Sequence, residues 1–104
     1  ASAAADSELH ALEEFGQLGE ALFTRIASGA AEGVSRLYGA ESLDFFSKSV
    51  NATVEAPRVQ NLVEKMIAAN LITRSGHGLY IVADPFVREV WLRRKSLGQA
   101  LASN

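Results

Sequence analysis

"RSGHGLYIVADPFVREVWLRRK", Arg74–Lys95, decides how the chain is read. With Leu71–Thr73 before it, the stretch holds two short runs, "LITRS" and "LYIV", rich in β-branched residues and carrying a Tyr. "GHG" lies between them and supplies glycine where φ must turn positive, so the pair predicts a tight β-hairpin. Asp84-Pro85 follows at once. An Asp that can cap and a Pro at the first helical position mark the start of a helix. Phe86, Val87, Val90, Trp91 and Leu97 are the expected buried face of that helix, and Arg93-Arg94-Lys95 gives it a basic end.

Upstream, Pro57 opens another helix, with Val59, Leu62, Val63, Met66 and Asn70 tracing its buried side. "NATVEA" is a connector before it; its Asn51-Ala52-Thr53 triplet fits a glycosylation acceptor by chance, since no secretion signal accompanies it. "AESLDFFSKSV" predicts a helix with Leu43, Phe46 and Val50 on one face and Asn51 as its stop. "AAEGVSRLYG" predicts a short helix ended by Gly39. Leu9, Leu12, Phe15, Leu18, Leu22 and Ile26 form a longer helical stripe, capped by Asp6 or Ser7 and stopped by Gly29. Gly16 and Gly19 predict either two helices meeting near "GQLG" or one helix with a weak middle. Residues 1–6 read as a disordered tail or expression remnant, and residues 7–104 as one domain. Helices followed by a helix and an adjacent hairpin make a mostly α chain with a small β-hairpin, the winged helix-turn-helix arrangement.

The bulk numbers fit. A chain of 104 residues, 48% apolar and 21% charged, suits one soluble globular domain. No apolar run reaches the ~18 residues of a bilayer span, so no membrane partner is expected, and the absence of cysteine excludes disulfides and thiolate chemistry. A cytoplasmic protein is expected. The chain starts at Ala1 without Met, which suggests a domain excised from a larger protein. Its net charge is −2, yet residues 1–57 hold three basic and nine acidic side chains (−6), whereas residues 58–104 hold seven and three (+4). Such asymmetry hints at a basic face; the plain alternative is ordinary solvated surface.

Leu71-Ile72, then Gly78-Leu79-Tyr80-Ile81-Val82-Ala83-Asp84-Pro85-Phe86, then Trp91-Leu92 carry a resemblance. Together they resemble the C-terminal winged helix of the archaeal-type and related bacterial P-loop ATPases, near the AAA and signal-transducing NTPase groups. In that family a helix ending in Leu-Ile leads into a wing closed by Gly-x-Tyr-x-(Ile/Val)-x-Asp-Pro and an aromatic residue. The likeness covers Pro57–Arg94 well and extends loosely from Glu20. It implies a parent with an upstream ATPase domain of the same chain, which would bind ATP and Mg. This chain itself has no Gly-x-x-x-x-Gly-Lys-Ser/Thr loop, so no cofactor is expected within it.

The helix from Pro57 is the expected recognition helix. Arg58, Asn61 and Lys65 share one side, and Arg, Asn and the adjacent Gln60 can read base edges; the plain alternative is a solvated face, and Glu64 would repel phosphate. Arg74 and His77 in the wing are placed to touch phosphate, as Arg94 is from the last helix. Basic residues at a helix end also simply favour its dipole. Trp91 is expected to anchor the last helix against the wing, Tyr80 to pack on the sheet with its hydroxyl at the edge, and Asp84 to be a cap. His77 and His10 lie too far apart in sequence to suggest a metal site, and no catalytic constellation exists, so no enzyme is expected in this fragment. The expected function is weak, salt-dependent contact with double-stranded DNA, or regulation, as an appendage of a multidomain ATPase. The rivals are a protein-interaction module packing on the ATPase domain, marked by exposed Ala68, Ala69 and Leu79, and a stand-alone dimeric transcription regulator. The oligomeric state is left open.

Overall fold

The helical stripe of the first third breaks where its glycines weaken it. In the computed structural model, which describes residues 2–102 and the side chains of residues 7–97, α1 (Ser2–Glu13) and α2 (Gly16–Ala27) are separate helices. Gly16 takes φ +69° at the break. α1 begins ahead of the expected Asp6 or Ser7 cap. α2 stops at Ala27, where the Ser28 hydroxyl donates to the Thr24 carbonyl.

The short helix expected over residues 30–39 is absent. Gly33 at φ +129° and Arg36 at φ +57° are incompatible with a continuous right-handed helix. Instead Val34 joins the wing through an antiparallel bridge to Tyr80. The Val34 N–H donates to the Tyr80 carbonyl at 2.8 Å, and the Tyr80 N–H to the Val34 carbonyl at 3.0 Å. Gly39 is extended and starts α3 (Ala40–Val50) rather than ending a helix. The expected stop of α3 holds: Asn51 sits in the left-handed region at φ +55°. The Val54 N–H then donates to the Ser47 hydroxyl at 2.9 Å, which ties the connector to α3.

α4 (Ala56–Ala68) carries Pro57 in its first turn, as expected. Val59, Val63 and Met66 are fully buried and Leu62 partly so. Asn70 departs from the expected buried side: it is exposed and left-handed at φ +61°, so it ends the helix instead of packing under it. β1 (Ile72–Gly76) and β2 (Leu79–Val82) pair antiparallel in the register Ile72↔Val82, Thr73↔Ile81 and Arg74↔Tyr80. Gly78 makes the turn at φ +71°.

Asp84 caps α5 (Pro85–Ala102), its Oδ1 accepting from the Phe86 N–H at 2.9 Å. Val87 and Trp91 are buried and Val90 partly so, but Phe86 is 48% and Leu97 63% exposed. Those two fall about 100° and 240° round the helix from Val87 and Trp91, away from the stripe that meets the core. Trp91 anchors α5 on α2 rather than on the wing. Its Nε1 donates to Thr24 Oγ1 at 2.8 Å, and its ring stands edge-on to Phe23 with centroids 5.7 Å apart.

The result is a mostly α chain with one small sheet, a winged helix-turn-helix. α2, α3 and α4 surround a core of Leu22, Phe23, Ile26, Leu37, Phe46 and Val63. The β1–β2 hairpin is the wing, and α1 and α5 pack on each other and on α2.

Candidate nucleic-acid interface

Because Val59, Val63 and Met66 turn inward, the opposite side of α4 is left to solvent. Arg58, Gln60, Asn61, Glu64 and Lys65 are all exposed there. They lie in two adjacent rows. Arg58, Asn61 and Lys65 line a cleft of about 210 Å³ with Phe15 and Leu18 from the α1–α2 junction. Gln60, Asn61 and Glu64 line a groove of about 470 Å³, whose far wall is Arg74 and Tyr80 of the wing with Tyr38 from the loop before α3. Asn61 belongs to both, so the two rows form one face. The structure thus brings Arg58, Gln60, Asn61, Lys65 and Arg74 together.

It does not bring in the other two candidates. His77 is exposed at the wing turn and lines neither depression. Arg94 lines a separate cleft of about 200 Å³ between α1, α2 and α5, beside Glu13 and Glu20. The rest of the basic run has partners nearby. Arg93 lies 3.7 Å from Glu89, and Lys95 lies 3.6 Å from Glu20 and 4.6 Å over the Trp91 ring.

Among the described residues, Arg58, Lys65 and Arg74 make no ion pair. The Arg74 guanidinium sits 5.7 Å from the centroid of Tyr80, its cross-strand partner, and Arg74 is exposed. Tyr80 is buried, and Tyr38 lies beside it in the groove. Burial first, and then the neighbouring Tyr80 hydroxyl, push the Tyr38 phenol up to about 12; Glu64 adds to the rise and Arg74 opposes it. Tyr80, Arg74 and Glu64 therefore all face the Tyr38 phenol across the groove. The sequence reading missed Tyr38, since "RLYG" gives no sign that the loop folds back on the wing.

The exposed face of α4 is polar. Ala68 and Ala69 are exposed but small, Leu79 is half-buried, and among the described residues the large exposed apolar side chains are Phe45, Phe86 and Leu97, on α3 and α5. Among the described residues no three His, Cys, Asp or Glu side chains gather as metal ligands, and no helix is long and apolar enough to cross a membrane. Comparison with family models, with curated proteins and with solved structures finds no match to this chain.

Proposed function

We propose that this winged helix binds double-stranded DNA, weakly and mainly through charge. The observation that carries the reading is the α4 face itself. Arg58, Lys65 and Arg74 stand there without ion pairs among the described residues, and Gln60 and Asn61 lie between them. An exposed helix beside a hairpin fits a major groove. Arg58 and Lys65 meet phosphates from the helix and Arg74 from the wing, while Gln60 and Asn61 reach base edges. The resemblance to the P-loop ATPase group supports placing the domain as an appendage of a cytoplasmic ATPase, which would supply the ATP and Mg chemistry.

Fluorescence anisotropy with a labelled duplex at about 50 and 200 mM salt tests the reading. Micromolar binding is expected at the lower salt, with most of it lost at the higher. The double variant Arg58→Glu/Lys65→Glu is expected to abolish it. No binding by the wild type at low salt overturns the DNA reading. A second reading, a regulatory module packed on an ATPase domain, has one observation in its favour. An apolar groove of about 220 Å³ behind the wing is lined by Ile26, Ala30, Ile81, Val82 and Pro85, and the exposed Phe86 follows Pro85 directly.

A further inference from the structure

Glu64 is out of place on a face built to meet phosphate. It is exposed on the outer side of α4, one turn beyond Gln60 and Asn61, and it lines the groove opposite Arg74. Some surface carboxylates are paired, Asp44 with Lys48 at 3.0 Å, Glu89 with Arg93 and Glu20 with Lys95. Among the described residues, Glu14, Glu32, Glu41 and Glu55 are exposed without an ion pair, and Glu64 is the carboxylate that lines the groove shared with Arg74. Glu64 makes no ion pair among the described residues, although Lys65 and Arg74 lie close by. A free carboxylate facing a phosphate backbone only weakens binding. Facing the floor of a major groove, it is a strong acceptor aimed at base edges.

We propose that Glu64 is a specificity-determining residue, its carboxylate accepting a hydrogen bond from the N4 amino group of a cytosine. The inference rests on the DNA reading above and adds to it the base that α4 selects. Two bases offer an amino donor in the major groove, cytosine through N4 and adenine through N6. Adenine places the N7 acceptor beside its N6, and a second lone pair there repels a carboxylate. Cytosine has no such acceptor beside N4. Adenine suits instead the amides of Gln60 and Asn61, which both donate and accept. The helix rises roughly 6 Å from Gln60 to Glu64, about two base-pair steps of ~3.4 Å. Amides and carboxylate therefore address different base pairs. Arg74 at the groove's far wall holds the backbone, so the carboxylate need not approach a phosphate.

The test is selection from a random duplex pool by the whole chain, comparing wild type with Glu64→Ala and Glu64→Gln, with sequencing of the bound fraction. Glu64 is exposed, so both variants are expected to keep the thermal midpoint of the wild type. The wild type is expected to favour cytosine at one position by roughly tenfold. In Glu64→Ala that preference flattens, because the sites with cytosine lose their hydrogen bond. In Glu64→Gln the preference moves toward adenine. A uniform gain of affinity in Glu64→Ala with the base preferences unchanged overturns the inference and leaves the DNA reading standing. Absence of duplex binding by the wild type overturns both.

Discussion

One indole joins parts of the chain far apart in sequence. Trp91 is 6% exposed, bonds Thr24 through Nε1 and stands edge-on to Phe23. Removing it opens a large cavity between α5 and α2, so Trp91→Ala is expected to cost about 3–5 kcal/mol in urea unfolding. Trp91→Phe keeps most of the apolar volume and loses the hydrogen bond. Thr24 still donates to the Glu20 carbonyl at 2.7 Å, so nothing is stranded as a donor, and a cost of about 1–2 kcal/mol is expected. Equal costs for the two variants would show that the hydrogen bond, not the packing, holds α5. That Trp91 is buried could be read from its place in an apolar stripe. Its partner could not, because no local spacing points to Thr24. Tyr38 offers a second residue-level check, since the chain holds only two tyrosines. Its phenol, raised from the ordinary 10 to about 12, stays protonated longer in the folded chain than in the unfolded one. The stability this contributes is complete below pH ~10 and is lost as pH rises toward ~12. In Tyr80→Phe only Tyr38 remains to titrate. Its phenolate absorbance is expected to appear at lower pH than the Tyr38 step of the wild type, yet still above the ordinary range, because burial is the larger cause. A midpoint at the ordinary tyrosine value would show that Tyr38 is open to water.

Elements decided by local chemistry were legible, and the one decided by a distant partner was not. α3 with its Asn51 stop, α4 with its early Pro57, the hairpin around Gly78 and α5 with its Asp84 cap each follow from residues within a few positions. Residues 30–39 follow from Tyr80 instead. The composition of "AAEGVSRLYG" permits a helix, but the edge of β2 offers Val34 two backbone hydrogen bonds, and Gly33 supplies the φ of +129° that lets the chain reach them. A methyl group at Gly33 would stand 2.5 Å from Ser75 Oγ and 2.9 Å from Leu79 Cβ. It would also disturb the hydrogen bond from Ser75 Oγ to the Glu32 carbonyl, 2.6 Å long. Gly33→Ala is therefore expected to destabilise by more than about 2 kcal/mol, through backbone strain and collision together. Gly78→Ala, with a positive φ but open space around it, is the comparison and is expected to cost only about 1 kcal/mol. Chemical denaturation of both variants checks this. Equal losses would mean that the bridge region yields freely and that strain alone is at work.

Across the whole molecule, folding sorts the charge that the sequence merely divides. The two parts of the chain carry −6 and +4, and two cations of α5 are paired, Arg93 with Glu89 of the same helix and Lys95 with Glu20 of α2. The cations left without ion pairs on the α4 face are Arg58, Lys65 and Arg74. Helical spacing made the first two legible as neighbours, and the hairpin register placed the third beside them. Nothing in the sequence told that Arg94 would face α1 instead. Counterion release turns this sorting into a number. Three phosphate contacts give a slope of about −2.7 in log affinity against log salt, which between about 50 and 200 mM is roughly a 40-fold loss. Arg74→Ala is expected to bring the slope to about −1.8, because one contact is gone. Arg93→Ala is expected to leave it unchanged, since that guanidinium is engaged with Glu89 on the far helix. Equal slopes for wild type and Arg74→Ala would remove the wing from the interface. A flatter slope in Arg93→Ala as well would point to a field summed over the whole chain, which weakens with every cation removed, whereas a docked face weakens only with its own.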